Sequence, residues 1–475
     1  MHELSYRRRV GILAICSMSL LIVGLDVTII NVALPTIGRD LHASISGLQW
    51  TLDAYTLVLA SLLMLSGSTA DRFGRRRTFI IGLSVFVIGS LLCSVAPSLA
   101  WLVVARMLQA VGGSMLNPVA MSIVTNTFTV PHERAQAIGV WASVLGISMA
   151  LGPVVGGLLV NASGWRSIFW INIPVGLIAI VLTSLYVPES RAPRARRVDV
   201  VGQVLVITLL SSMTYGIIEA PNHGWGSRVI VTCFAVTLIS LVTLLAYEPR
   251  RNEPLIDMRF FRSIPFASAT VIAICAFASL GGFLFLNTLY LQDVRGLSPL
   301  QTGLDTLPMA AMAMFLPPIS GRIVGRHGSR IPLVIAGGAL IVSCSMLVRL
   351  SASTSYTWLF SAYVIFGLGF GFVNPPITNA AVSGMPRAQA GVAAGIASTS
   401  RQIGQTLGVA VVGALVTSRI GRGLHVNIAN ASRAGWWTLM GFSLAILVLG
   451  IVSTSRSALQ SALRTASALN PEVLE

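Results

Sequence analysis

Long apolar runs separated by short polar loops dominate this chain. A helix needs about 20 mainly apolar residues to cross roughly 30 Å of hydrocarbon. Fourteen runs reach that length: 10–34, 49–70, 78–96, 99–121, 135–160, 167–186, 199–220, 228–247, 264–291, 300–320, 331–349, 356–380, 390–418 and 434–454. We therefore predict an all-α integral membrane protein with fourteen transmembrane helices.

Composition supports a membrane protein and excludes other classes. Hydrophobic residues make up 54% of the chain and charged residues 10%, a balance that a soluble protein does not need. The net charge of +16 comes from arginines scattered through many short loops. A nucleic-acid surface needs a continuous basic stripe, so we expect the lipid bilayer as a partner and no nucleic acid.

The arginines also predict the orientation of the chain. They favour the loops that are cytoplasmic if the N-terminus is inside, and an even number of spans then places both termini in the cytoplasm. All 32 basic residues are arginine, which is typical of a GC-rich bacterial genome, so we expect the bacterial cytoplasmic membrane. The first apolar run is too long for a signal peptide and is expected to remain as span one. The predicted cytoplasmic arginines include Arg7–Arg9, Arg72, Arg75–Arg77, Arg194, Arg196, Arg197, Arg250, Arg251, Arg322, Arg326 and Arg330.

An internal repeat organises the spans. Residues 67–76 match residues 321–330, and the tetrapeptide that begins at Arg134 recurs at Arg387. Repeats in the same orientation predict two parallel six-helix bundles with a substrate site between them. We expect the N-terminal bundle at 1–190, two inserted helices with cytoplasmic loops at 191–262, and the C-terminal bundle with a cytoplasmic tail at 263–475.

Asp26 and Arg106 are charged residues inside apolar runs. A charge at bilayer depth costs about 2.5 to 3.5 kcal/mol on insertion scales and is kept where it is paired, protonated or facing a cavity. Both residues lie seven or eight positions from the predicted outer ends of their spans, so they can share one depth. Two interpretations stay open: a permanent salt bridge, or an Asp26 that exchanges protons and substrate while Arg106 adjusts its affinity.

Further polar residues within or near the spans are candidates for the substrate cavity. Asn31 and Asp53 join Asp26 and Arg106 as candidate proton-coupling or cavity residues. Asp53 and Asp305 lie near predicted outer ends, where they can reach interfacial water, and Asp305 is also a candidate second proton site. Arg401 and Gln405 form part of a polar cluster in span thirteen. Arg401 either locks the structure or serves as a cavity group that repels cations or binds a carboxylate.

Several motifs together resemble the major facilitator superfamily. The loop GSTADRFGRRR matches the family pattern between spans two and three, and Arg106 resembles the family arginine of span four. GPVVGG in span five resembles the antiporter motif, with Ser148 in place of its first glycine. The run LDVTIINVALP, the run GVAAGIASTSRQIGQTLGVAV and the fourteen spans resemble the drug:proton antiporter branch.

This resemblance implies proton-driven efflux of a small organic molecule, and we expect amphipathic, cationic drugs or dyes. It implies a conformational gate in the loop after span two, with topological anchoring by positive charge as the alternative. The glycines of that loop are expected to permit close approach and a tight turn. The antiporter motif is expected to shape packing, with a bend at its proline. The gate residues are Gly67, Asp71, Arg72, Gly74, Arg75 and Arg76, and the motif residues are Gly152, Pro153, Gly156 and Gly157.

An enzyme is not expected. The sequence has no nucleophile triad, no phosphate-binding glycine loop and no metal-spaced histidines, so we predict no cofactor and no metal. Without an ATP motif, an ion gradient is the remaining source of work. The expected partners are protons and a small-molecule substrate, and the chain is expected to act as a monomer. Alternative functions are a dedicated exporter of one metabolite or antibiotic, and a non-transporting sensor or scaffold.

Overall fold

The computed structural model describes residues 5–191, 199–251, 254–382, 390–420 and 428–469. Within those ranges all regular secondary structure is helical, and no strand is present. Fourteen helical segments are long and apolar enough to cross a membrane, and each overlaps one predicted span. The prediction of an all-α membrane protein with fourteen spans is therefore confirmed.

The chain divides into two compact units. The first contains residues 1–203 and the segment Ser298–Leu304. In it the helices α1 and α5 pack along each other, as do α3 and α4, and α2 packs mainly on α4. Its helices are α1 (Tyr6–Asp40), α2 (Ile45–Phe73), α3 (Arg75–Ser94), α4 (Leu99–Thr127), α5 (Pro131–Ser163), α6 (Ser167–Trp170) and α7 (Asn172–Tyr186).

The second unit contains residues 204–297 and 305–475. In it α10 packs along α16, and α14 packs along α15 and α18. The helices of the remaining chain are α8 (Val200–His223), α9 (Arg228–Tyr247), α10 (Ile264–Leu289), α11 (Pro299–Asp305), α12 (Leu307–Phe315), α13 (Pro317–His327), α14 (Arg330–Leu347), α15 (Tyr356–Val382), α16 (Ala390–Ile420), α17 (Ile428–Ala431), α18 (Arg433–Val452) and α19 (Arg456–Leu469).

The tenth predicted span, 300–320, is divided between three helices, α11, α12 and α13. Pro317 and Pro318 begin α13, where their missing backbone N–H groups leave no hydrogen bond unmade. Inside a longer helix the same prolines would remove hydrogen bonds and clash with the preceding turn. Proline placement therefore explains why this apolar run does not form one continuous helix.

Matching glycines end α2 and α13. Gly74, with a φ of 113°, stands between α2 and α3. Gly328, with a φ of 79°, follows α13, and Ser329 separates it from α14. A left-handed φ strains residues that carry a Cβ, so glycine suits both turns. The two glycines are related by the predicted repeat. The second copy of the other repeated loop, at Arg387, lies outside the described residues.

The predicted domain boundaries at 190 and 262 stay a prediction. Along the chain, the boundary between the compact units falls between Gln203 and Val204, inside α8. Residues 192–198 and 252–253 lie outside the described ranges. The predicted loop arginines Arg194, Arg196 and Arg197 are among them.

Candidate functional site

Asp26 is completely enclosed in the first unit, at 1% exposure. Its carboxylate accepts a hydrogen bond from Arg106 Nη1 at 2.5 Å through Oδ2. Through Oδ1 it accepts from Gln109 Nε2 at 2.8 Å and from Asn172 Nδ2 at 3.1 Å. The carboxylate of α1 is thus held by donors from α4 and α7, and both of its oxygens are satisfied.

Arg106 is equally well held. Its Nε donates to the backbone oxygen of Thr51 at 3.3 Å, and its Nη1 also donates to Gln109 Oε1 at 2.7 Å. The guanidinium lies 4.1 Å from the ring centroid of Tyr55, a cation–π contact that strengthens when water is excluded. Arg106 is 1% exposed, as Asp26 is, so both members of the ion pair are removed from solvent.

Ser90 extends this network to α3. Its hydroxyl accepts from Gln109 at 2.8 Å and from Asn172 at 3.3 Å. A buried ion pair compensates for desolvation only if the remaining donors and acceptors are satisfied, and here they are. The shared depth predicted for Asp26 and Arg106 agrees with this direct contact. Gln109 was detectable in the sequence because it lies one helical turn after Arg106; Ser90 and Asn172 had no such signal.

Asn31 does not join Asp26. Its Nδ2 donates to the backbone oxygens of Val27 at 3.1 Å and Thr28 at 3.4 Å, within its own helix. Asn31 is buried at 4% exposure. Local backbone bonding of this kind is a common way to satisfy an amide side chain inside a helix. The structure therefore separates Asn31 from the ion pair with which the sequence grouped it.

Asp53 has a very different environment from Asp26. It is 0% exposed, and among the described residues no arginine or amide donates to either of its carboxylate oxygens. The nearby hydroxyl of Thr56 donates to the backbone oxygens of Leu52 and Asp53. The expectation that Asp53 reaches interfacial water is wrong for this structure, because the side chain is enclosed. Position near a helix end did not reveal that α2 is packed against other helices there.

The loop after α2 forms a connected set of ion pairs. Arg75 Nη2 donates to Asp71 Oδ1 at 2.8 Å, one turn apart across Gly74. Glu189 accepts from the backbone N–H groups of Arg76 at 3.1 Å and Arg77 at 3.3 Å. A carboxylate at a helix N-terminus satisfies free amides and complements the helix dipole. Glu189, and not the gate residue Asp71, thus binds the N-terminus of α3.

The other residues of this loop are less uniform. Arg76 Nη2 donates to the backbone oxygen of Ser184 at 2.6 Å, which joins α3 to α7. Arg72 lies 5.7 Å from the ring centroid of Phe73. A Cβ added to Gly67 would meet no atom within 4 Å, so the close approach expected there is absent from this structure. At Gly74 the positive φ agrees with the expected tight turn.

The glycines of α5 lie against α1. A Cβ on Gly152 would overlap the side chain of Thr28, and a Cβ on Gly156 would lie 2.7 Å from Ile29. Close helix approach of this kind depends on small residues. Gly157 faces the backbone of Pro299, within the first unit. The helix is continuous through Pro153 from Pro131 to Ser163.

The candidate residues of the second unit form no ion pair with one another. Arg401 Nη2 donates to Thr378 Oγ1 at 2.7 Å, its Nε has no acceptor, and its guanidinium lies 6.0 Å from the Phe277 ring. Gln405 is buried at 8% exposure, and its side chain lies against Gly281. No aspartate or glutamate occurs between residues 306 and 471, so these helices supply no carboxylate to Arg401.

Asp305 lies at the end of α11, before the next membrane-spanning segment, and is partly buried. Its Oδ2 has no hydrogen-bond partner. Burial raises the pKa of the Asp305 carboxyl, and the positive charge of Arg295 opposes this change. The group is therefore neither fully solvated nor enclosed.

Aromatic side chains fill the corresponding interior of the second unit. Phe283 stacks on Phe366 at 4.2 Å and meets Trp436 edge-on at 5.9 Å. Tyr363 donates its hydroxyl to Asn287 Oδ1 in a buried contact between α15 and α10. By the repeat, these helices correspond to α4 and α1. A neutral hydrogen bond thus joins the two helices that correspond to those of the ion pair, with Asn287 at the position of Ala33 and Tyr363 at that of Gln109.

Fourteen membrane-spanning segments, with charged side chains buried inside the first unit, are typical of a multi-pass membrane transporter. Residues 16–409 match the Major Facilitator Superfamily, and the chain belongs to that family. It is accordingly a transporter and not an enzyme.

The chain is similar to several named resistance and export proteins. It is 36% identical over 414 residues to multidrug resistance protein Stp of Mycobacterium tuberculosis, covering 87% of this chain and 77% of that protein. It is 38% identical over 409 residues to the tetracenomycin C resistance and export protein of Streptomyces glaucescens, covering 85% and 75%. It is 30% identical over 445 residues to the methylenomycin A resistance protein of Bacillus subtilis, covering 93% of each.

Solved structures support the fold. The structure of a bacterial homolog of the human lysosomal transporter Spinster matches with a TM-score of 0.65 at 18% identity, covering 98% of this chain and 99% of that one. The human organic anion transporter MFSD10 matches with a TM-score of 0.62 at 14% identity, covering 93% and 99%. At these identities the likeness describes the fold alone.

Proposed function

We propose that this chain is a proton-coupled antiporter that exports small amphipathic cations, such as drugs or dyes, by alternating access. The proposed location of the protein is the bacterial cytoplasmic membrane, with both termini in the cytoplasm. The observation that carries the proposal is the enclosure of two carboxylates, Asp26 and Asp53, within the helices of the first unit. Intramembrane carboxylates that survive their desolvation cost are typical of proton and ion pathways.

The sequence contains no ATP-binding motif, so the proposed energy source is the proton gradient across the membrane. A pH difference drives a one-for-one exchange of a proton for a cation, and a membrane potential adds about 2.3 kcal/mol for each 100 mV only for each net elementary charge that moves. A carboxylate can hold either a proton or a cation, so one group can link the two fluxes. The resistance and export names of the relatives support an efflux direction for this chain.

We also assign the loop around Asp71 to conformational gating. Asp71 and Arg75 pair across the turn at Gly74, and Glu189 binds the start of α3. These contacts are partly exposed to solvent, where a single ion pair contributes about 0 to 1 kcal/mol. Contacts of that strength can break during each transport cycle, which a gate requires.

Purified protein in liposomes tests the proposal. An imposed pH gradient should drive ethidium across the membrane while an internal pH dye reports an opposite proton flux. Collapsing the gradient with a protonophore should stop the concentrative movement of ethidium, and empty liposomes provide the background. Ethidium movement that ignores the protonophore would contradict proton coupling. Absence of movement across a panel of cationic dyes would contradict the substrate class.

Export of one antibiotic is the second candidate function. It is favoured by two relatives named for resistance to single compounds, tetracenomycin C and methylenomycin A. A resistance profile separates the two functions, because a dedicated exporter protects a sensitive host against one compound while a multidrug exporter protects against several unrelated cations.

A further inference from the structure

Asp53 is a carboxylate without a cationic partner. Both oxygens are enclosed, and among the described residues the Thr56 side chain interacts with the carboxyl but no arginine or amide donates to it. An ionised carboxylate that leaves water without donors or a counter-charge pays a desolvation cost of several kcal/mol, whereas a neutral acid pays much less. This enclosed position therefore suits the neutral, protonated form of the side chain.

Charged groups on the neighbouring helices do not compensate for Asp53. The helices with the most extensive packing on α2 are α4, α1 and α3, and α8 reaches it through Gln203, which donates to the Ser61 backbone oxygen. Arg39, near the end of α1, is exposed to solvent. Asp26 on α1 and Arg106 on α4 are bound to each other. The arginines of α3, residues 75–77, follow the far end of α2, about 30 Å from Asp53 at 1.5 Å per residue.

The titratable groups closest in sequence or packing are also occupied elsewhere. Tyr55 turns its ring to Arg106, and Cys93 of α3 contacts Gln109 Oε1 at 3.9 Å. In the described part of the first unit, the intramembrane cation is thus already matched to Asp26, and Asp53 is the carboxylate left over.

We propose that Asp53 is the residue at which a proton and a cationic substrate compete, while Asp26 remains bound to Arg106. This inference rests on the proposed function and names the exchanging group within it. Its basis is the contrast between Asp26, which is held by a cation and two amide donors, and Asp53, which has no cation or amide donor among the described residues and interacts only with the Thr56 side chain.

The exchange step is balanced by one proton and one positive charge. When the site opens toward the cytoplasm, the O–H bond of Asp53 breaks and the proton passes to water. The resulting carboxylate forms an ion pair with the cation. When the site opens to the outside, water supplies a proton to the carboxylate, the O–H bond re-forms, and the cation leaves. Because one carboxylate cannot hold both, each cation exported admits one proton.

Binding as a function of pH provides the first test. Ethidium affinity would be measured on purified full-length protein in nanodiscs between pH 5.5 and pH 8.5. Below the pH at which the site deprotonates, wild-type Kd should rise about tenfold per unit fall in pH, as expected for competition with one proton. Asp53→Asn should bind weakly with a Kd that does not change with pH. Asp26→Asn/Arg106→Gln, which replaces the ion pair with neutral amides, is the matched control and should keep the pH dependence.

Labelling with dicyclohexylcarbodiimide provides a test that needs no variant. This reagent accepts the proton of a neutral carboxylic acid in an apolar environment and forms an N-acylurea on the carboxyl carbon. Mass spectrometry of the wild-type peptides should find the adduct on Asp53, reduced at high pH and by ethidium, and not on Asp26. An adduct on Asp26 alone, or a pH-dependent Kd in folded Asp53→Asn, would overturn the assignment.

The two proposals fail in different ways. If wild-type liposomes show no proton-linked ethidium flux, the proposed function is wrong. If that flux is present but its proton dependence survives in Asp53→Asn and disappears in Asp26→Asn/Arg106→Gln, proton antiport stands and the assignment of Asp53 is wrong.

Discussion

Asp26 and Asp53 lie on adjacent helices of one unit and are both removed from solvent, but their surroundings differ completely. Asp26 accepts from Arg106, Gln109 and Asn172, whereas Asp53 has no cation or amide donor among the described residues and interacts only with the Thr56 side chain. A satisfied carboxylate is a stable end state, because breaking a buried pair leaves an uncompensated charge. An unsatisfied one gains from any cation or proton that reaches it. If Asp53 exchanges protons as proposed, the partners of a carboxylate, and not its burial alone, decide whether it is structural or exchanging.

Replacing Asp53 with Asn should have the largest effect on transport. The amide cannot release a proton, so proton-linked ethidium flux in liposomes should fall at least tenfold, the factor that corresponds to about 1.4 kcal/mol. Asp53→Glu keeps an ionisable group and should retain part of the flux. Equal flux in wild type and Asp53→Asn would contradict the assignment of Asp53 as the exchanging carboxylate.

Replacing Arg106 with Gln should have the largest effect on stability. It leaves Asp26 enclosed without its cation, and removal of one partner from a buried pair costs about 3–5 kcal/mol. Thermal unfolding in detergent should detect this loss. The double variant Asp26→Asn/Arg106→Gln replaces the ion pair with neutral amides and should recover most of the loss. No recovery would mean that Arg106 stabilises the unit mainly through Tyr55 and Thr51.

A methyl group at Gly152 should have an intermediate effect. Its Cβ would overlap Thr28 on α1, the helix that carries Asp26, and overpacking costs about 1–3 kcal/mol. Gly139→Ala on the same helix is the matched control, since its Cβ would meet no atom within 4 Å. Thermal unfolding should separate the two variants. Equal midpoints would show that α1 and α5 separate without cost.

Replacing Asp305 with Asn should have the smallest effect on stability, because this carboxyl is only partly buried. Burial raises the pKa of its carboxyl, so the folded state holds the proton more firmly than the unfolded state does. Its contribution to stability is therefore present at low pH and is lost as pH rises through the folded pKa. Between pH 4 and pH 7, Asp305→Asn should gain unfolding temperature relative to wild type. If the unfolding temperature of Asp305→Asn falls relative to wild type between pH 4 and pH 7, the expected direction of the effect is wrong.

Much of the fold was predictable because lipid imposes long apolar helices. Span number followed from run length, and the turn at Gly74 followed from a motif. The division of the tenth span depended on where Pro317 and Pro318 fall relative to the helix start, which hydropathy does not register.

The candidate site was only partly predictable. Asp26 and Arg106 were detectable as charges at one depth, and they are in contact. Ser90 and Asn172 are ordinary polar residues, and only packing brings them to Asp26. The sequence placed Asp53 near water because it lies close to a helix end, but tertiary packing encloses it.

The second unit strengthens this contrast. Its equivalent helices are joined by a neutral Tyr363–Asn287 hydrogen bond within an aromatic cluster, and residues 306–471 contain no carboxylate side chain. Under the proposed function, charge exchange therefore belongs to the first unit.

Proton release on substrate binding tests this account most directly. Ethidium would be added to purified protein in weakly buffered solution below the pH at which the site deprotonates, and a pH dye would count the protons released per cation bound. The account predicts about one proton for wild type and for folded Asp26→Asn/Arg106→Gln, and none for Asp53→Asn under conditions that saturate binding. Release that persists in Asp53→Asn and is lost in Asp26→Asn/Arg106→Gln would contradict it.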